Sequence, residues 1–195
     1  ILPVSDVLLS GSHNLQNIAA ATAVAKILKI KNSHITKVLK NFKGLIHRLQ
    51  LVREIKGVSY YNDSFATAPE TTIAAIESFT SPKILILGGS SKNSNFTNLG
   101  QKIHEDKSIK ALILIGLEAK RIKDAIDKAG GFKGKIIEGA RNMQQIIQAV
   151  NTCASEGDVV LLSPACASFD MFKNYQDRGE QFINEVKKLA IELIT

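Results

Sequence analysis

Three short polar clusters each follow directly on an apolar run. They hold most of the side chains in this sequence that could do chemistry. They are Asn62-Asp63-Ser64-Phe65-Ala66-Thr67, Gly88-Gly89-Ser90-Ser91-Lys92 and Ser163-Pro164-Ala165-Cys166-Ala167-Ser168. Asp63 reads equally as an ordinary loop or helix-proximal cap carboxylate and as a functional one. Thr67-Ala68-Pro69-Glu70 has the form of a capping box, so Thr67 is expected to cap a helix; a hydroxyl beside a helix start also suits an anion. Gly88-Gly89 lets a ligand approach the backbone closely, and Lys92 offers a point charge for a carboxylate or phosphate. No GxxxxGK[ST] phosphate loop occurs in the chain. Cys153 and Cys166 form no CxxC, and none of His13, His34, His47 and His104 is assignable as an oriented base. Neither a nucleophilic cysteine nor a metal centre within this chain is therefore expected.

The elements that must position these clusters read as short apolar strands alternating with helices. Leu51 to Ile55 and Val58 to Tyr61 form a hairpin about Lys56-Gly57. Lys83 to Gly88, Ala111 to Gly116, Lys135 to Glu138 and Val159 to Ser163 are apolar runs of the kind buried on both faces of a parallel sheet. Helical patterns cover Pro69 to Phe79, Leu117 to Ala129, Asn142 to Ala154 and Gly179 to Ile194. The alternation predicts an α/β fold, a doubly wound, mostly parallel sheet whose ligands bind beyond the carboxyl ends of the strands. Upstream lie an Ala-rich helix capped by Ser12 or Asn14, and a second helix from Ser33 to Phe42 with Ser33 as its cap. A strand is expected at Val7 to Leu9, and a break at Gly44. These residues are too few for a core of their own. Residues 1–44 are therefore expected to be the tail of a domain that begins upstream, and residues 45–195 a second domain.

Composition narrows the partners. The 195 residues are 45% hydrophobic and 22% charged, which fits a folded soluble chain rather than a disordered one. No apolar run approaches the ~20 residues that cross a bilayer, so no membrane partner is expected. Two cysteines and no signal peptide point to a reducing cytoplasm. The net charge of +7 is spread from Lys26 to Lys188 without any Trp. It reads as a solvated basic surface open to small anions, not as a nucleic-acid platform.

Taken together the motifs resemble one family. Gly11-Ser12-His13-Asn14-Leu15-Gln16-Asn17 before the Ala-rich helix resembles the central domain of the Mur ligases, and Phe42 to Leu49 resembles the junction with their C-terminal domain. The clusters at Tyr61 to Thr67 and Leu87 to Lys92 follow in family order. Leu162 to Tyr175, continuing to Arg178-Gly179, resembles the glutamate-adding branch specifically. The resemblance covers essentially the whole chain.

It implies a Rossmann-like C-terminal domain preceded by a helical remnant of the ATP-binding central domain. It also implies a cytoplasmic step of peptidoglycan synthesis. ATP and Mg2+ would serve the full-length ligase, which would join glutamate to UDP-N-acetylmuramoyl-L-alanine through an acyl-phosphate. By matching position, Asn14, Asn17, Arg48 and Asp63 would bind ATP, and Thr67, Lys92, Ser168, Phe169 and Tyr175 would bind glutamate. The family often carries Lys at Phe65, Leu at Phe169 and Phe at Tyr175. Ligases that add glutamate of the other hand share much of the pattern, so the hand stays open at this point. With no phosphate loop, the isolated chain is expected not to catalyse, and the full protein is expected to be a monomer. Two other readings stand beside this one: a stand-alone nucleotide or amino-acid binding module, and a basic nucleic-acid binder.

Overall fold

The computed structural model describes residues 1–9, 11–90 and 93–191, apart from the side chains of Ser12, His13, Ala190 and Ile191. Before Gln50 it contains a 3-10 turn at Val4–Asp6 and two helices, Ser12–Ile27 (α1) and Asn32–Asn41 (α2). The strand expected at Val7 to Leu9 does not form, because no strand of the sheet pairs with it and a lone apolar triplet leaves its peptide groups unmatched. Gly11 and Lys31 are the residues that precede the two helices, so Ser12, Asn14 and Ser33 fall inside them rather than at the cap position. Asn32 starts α2 one residue before Ser33 and accepts from Lys26 Nζ at 2.9 Å. The helix ends at Asn41, short of Gly44. Ile35 is the one buried side chain described in these helices, while Val24, Ile27, Val38 and Phe42 are exposed.

The remainder is built on one sheet. Gln50–Ile55 (β1) and Val58–Asn62 (β2) form the hairpin. Its turn residues Lys56 and Gly57 both take positive φ, 50° and 72°, the geometry that follows strand twist. Next come Pro69–Glu77 (α3), Lys83–Gly88 (β3), Thr97–Glu105 (α4), Ile109–Ile115 (β4), Ala119–Lys128 (α5), Lys135–Ile137 (β5), Met143–Asn151 (α6), Val159–Leu162 (β6) and Tyr175–Ile191 (α7). The strand order is β1-β2-β6-β3-β4-β5, with β1 antiparallel and all other pairs parallel. Side-chain alternation splits the core between the two faces. Ile84 and Ile86 of β3 pack with Ile146, Phe182 and Val186 from α6 and α7, whereas Leu85 and Leu87 pack with Ile76, Leu99 and Ile122 from α3, α4 and α5.

Three departures from the sequence reading have local causes. Ala68, not Thr67, precedes α3, and it offers no side-chain cap bond, so the capping box does not form; Pro69 takes the first helical position instead. Helix α4 was hidden by Gly100, a poor helix former. That glycine admits the backbone of α5, since a Cβ there would lie 2.5 Å from the Ala125 carbonyl oxygen. Helix α7 begins at Tyr175 rather than Gly179, because Asn174 Oδ1 accepts from the Asp177 amide at 2.8 Å and starts the helix earlier.

Candidate functional site

Because β6 lies between β2 and β3 and all three run parallel, the three polar clusters emerge side by side beyond the carboxyl ends of adjacent strands. Backbone bonds lock the loops together. The Ala165 amide donates to the Ala66 carbonyl at 3.0 Å, the Gly88 amide to Pro164 at 2.8 Å and the Ser90 amide to Ala167 at 2.9 Å. A Cβ on Gly89 would strike the Ala167 carbonyl, so this close approach requires glycine. The Phe169 amide donates to Ser90 Oγ at 3.1 Å.

Asp63 sits at the start of the first loop and is 7% exposed. Its carboxylate accepts from the Leu49 amide at 3.1 Å and from Ser163 Oγ at 2.8 Å, which joins the segment before β1 to the loops after β2 and β6. Thr72 Oγ1 in turn donates to the Ser163 carbonyl at 3.1 Å. Burial lifts the Asp63 carboxyl to about 6, against the opposing pull of Ser163, the Leu49 amide and Arg48.

Asn14, Asn17, Arg48 and Asp63, drawn from three separate stretches of chain, line a single cavity of about 560 Å³ between the N-terminal helices and the loop that joins β2 to α3. Phe65 also lines it. The second set is placed differently. Thr67 is half-buried on the loop after β2, Ser168 is buried on the loop after β6, the Phe169 side chain is 72% exposed, and none of them lines that cavity. The Tyr175 ring lies 4.8 Å from that of Phe65. Lys92 lies outside the described residues.

Two positioning groups escaped the sequence reading. Arg178 is fully buried and donates to Ser64 Oγ at 2.9 Å, the Ser64 carbonyl at 2.8 Å, Cys166 at 3.2 Å and Ala167 at 3.3 Å, so one guanidinium clamps two of the loops. Lys83 is buried too, bonded to the Ser81 carbonyl and Ser108 Oγ; both correct the expectation of a uniformly solvated basic surface. Nothing in local pattern separates a buried basic residue from an exposed one, although Arg178 does sit beside the most specific motif. The second group is His47. Its Nδ1 accepts from Asn62 Nδ2 at 2.9 Å, which leaves Nε2 as the protonated nitrogen, 3.8 Å from Glu180. Burial holds its imidazole below the ordinary value against the pull of Glu180.

The thiol of Cys166 is pushed up to about 12 by burial, which keeps it protonated and non-nucleophilic. Among the described residues no three His, Cys, Asp or Glu side chains are placed to share a metal ion, and no helix is long and apolar enough to cross a membrane.

Comparison with known proteins places this architecture. The family model for the Mur ligase glutamate ligase domain matches residues 47–166. UDP-N-acetylmuramoylalanine–D-glutamate ligase of Bacillus mycoides is 41% identical over 97% of the chain, and that of Bacillus cereus (strain ATCC 14579) is 42% identical over the same share. The chain spans 41% of the length of each of these relatives. The fold is shared with UDP-N-acetylmuramate-alanine ligase of Thermotoga maritima, at a TM-score of 0.67 and 16% identity over 93% of this chain and 39% of that one. It is shared too with the MurF ligase of the same organism in complex with ADP, at 0.62 and 21% over 92% of this chain and 40% of that one. The sheet order, the interlocked loops and these matches lead to one conclusion: the chain belongs to the Mur ligase family, through its glutamate ligase domain.

Proposed function

We propose that this chain is part of a cytoplasmic, monomeric ligase that joins D-glutamate to UDP-N-acetylmuramoyl-L-alanine at the expense of ATP, in peptidoglycan synthesis. The carrying observation is the convergence of Asn14, Asn17, Arg48 and Asp63 on one cavity. The side-chain amides of Asn14 and Asn17 suit the donor and acceptor edge of adenine, Asp63 can accept from ribose hydroxyls, and Arg48 brings a cation to the same space. In this reading residues 1–44 belong to the ATP-binding central domain and residues 45–195 form the glutamate domain, with nucleotide bridging the two. Thr67, Lys92, Ser168, Phe169 and Tyr175 are assigned to glutamate: an ammonium and hydroxyl donors for its carboxylates, aromatic rings for its methylenes. The glutamate hand follows the name shared by the Bacillus relatives.

The reaction proceeds in two steps. The carboxylate of the alanyl substrate attacks the γ-phosphorus of ATP and releases ADP. The glutamate amine then attacks the acyl carbon, loses a proton and expels inorganic phosphate. This chain supplies adenine, ribose and glutamate contacts, and among the described residues no three His, Cys, Asp or Glu side chains are placed to share a metal ion. Phosphoryl transfer depends on positioning of the phosphates, and the chain has no phosphate loop.

The test is a ligase assay on the full-length protein with ATP, UDP-N-acetylmuramoyl-L-alanine and either hand of glutamate. ADP release that depends on D-glutamate, and is abolished by Asp63→Ala, is the expected result. Preference for L-glutamate, or no release with either, overturns the reading. Residues 1–195 alone are expected to release no ADP.

A further inference from the structure

The face of the Phe65 ring carries the guanidinium of Arg48, whose Cζ lies 4.1 Å from the ring centroid. The same ring meets Tyr175 edge-on at 4.8 Å and 80°, and Tyr175 meets His47 at 5.9 Å and 87°. The main chain ties this stack to the junction, since the Phe65 amide donates to the His47 carbonyl at 3.1 Å. His47 and Leu49, on either side of Arg48, both take positive φ, 63° and 41°. Such conformations persist only where surrounding contacts hold them. Arg48 itself is exposed, and no carboxylate among the described residues lies within salt-bridge distance of it. Asp63 attracts Arg48 only from beyond salt-bridge distance, and a long exposed arginine keeps most of its rotamer freedom unless a direct contact restrains it. The aromatic face supplies that direct contact, because a cation is drawn to the ring's negative face.

We propose that Phe65 is a positioning residue: it holds Arg48 toward the cavity lined by Asn14, Asn17 and Asp63, and Tyr175 and His47 buttress it from behind. The inference rests on the nucleotide reading of that cavity. The guanidinium occupies the ring face, so Phe65 acts through Arg48 rather than as a stacking platform for the base.

The experiment measures ADP affinity by calorimetry on the full-length protein that carries this chain, for wild type, Phe65→Leu, Phe65→Tyr, Arg48→Ala and the Phe65→Leu/Arg48→Ala pair. Phe65→Leu is expected to weaken ADP about three- to tenfold, the range a partly exposed cation–π contact supplies. Phe65→Tyr keeps the ring and should restore affinity to within about twofold of wild type. In the Arg48→Ala background, Phe65→Leu should cost nothing further. In turnover, Phe65→Leu should raise the KM for ATP and leave kcat in place, whereas a general lesion in folding would lower kcat and the melting temperature together. Wild-type ADP affinity in Phe65→Leu, or a further loss on top of Arg48→Ala, overturns the proposal while leaving the nucleotide cavity standing. A wild-type protein that binds no ADP removes the nucleotide reading itself, and this inference with it.

Discussion

Ser163 Oγ donates to the carboxylate of Asp63 at 2.8 Å across a sequence separation of 100 residues. The bond links the loops after two adjacent parallel strands and fixes a buried carboxylate that lines the cavity. An anion in that position is held by hydrogen bonds yet starved of solvent, and burial wins.

A pH dependence follows from that balance. Burial lifts the Asp63 carboxyl from an ordinary 3.8 to about 6. Between those values the folded protein retains a proton that the unfolded chain has released, so stability falls as pH rises through the window and levels off above it. Asp63→Asn removes the loss. Urea denaturation should show the variant more stable than wild type by on the order of 1–3 kcal/mol at pH 8, with the difference closing toward pH 4. A difference that stays constant with pH would contradict the assignment.

Glutamate recognition is expected to rest on Lys92 more than on Ser168. Losing a charge-assisted contact costs about 1.5–3 kcal/mol, so Lys92→Ala should lower kcat/KM for glutamate roughly ten- to hundredfold in the full-length protein. Ser168→Ala removes a neutral donor and should cost less. The KM for ATP should hold in both. If Lys92→Ala weakened ATP and spared glutamate, the lysine would belong to the nucleotide.

Arg178→Lys should destabilise the fold by about 2–4 kcal/mol, because a single ammonium cannot reproduce a guanidinium fork. The fork donates at once to the Ser64 hydroxyl and carbonyl and to the Cys166 and Ala167 carbonyls, all buried. The denaturant midpoint measures it. An unchanged midpoint would mean that the loops are held by their backbone bonds alone.

Gly179 lies within α7, where alanine ordinarily gains up to about 1 kcal/mol in helix propensity. Here an added Cβ would run into His47 Nδ1 and lie 3.1 Å from Asn62 Nδ2. Overpacking of this kind costs about 1–3 kcal/mol, so Gly179→Ala should lower the melting temperature. A raised melting temperature would show that the His47 ring yields.

The sequence by itself determined the sheet's strands, most of its helices and the siting of the polar clusters. Runs such as Ile84 to Leu87 and Val159 to Leu162 are apolar at every position because both faces are covered, and that signal is local. Motif matching, local as well, marked Asn14, Asn17, Arg48 and Asp63. Their meeting in one cavity depends on how the helices before Gln50 sit against the loop between β2 and α3, which no window of sequence contains. The insertion of β6 between β2 and β3 is likewise non-local, and it alone brings Ser163 to Asp63. Burial of Arg178 and the stacking of Phe65 between Arg48 and Tyr175 leave no trace in periodicity. A buried arginine and a partly exposed phenylalanine look ordinary until the tertiary structure supplies the carbonyls and the cation that define their environment.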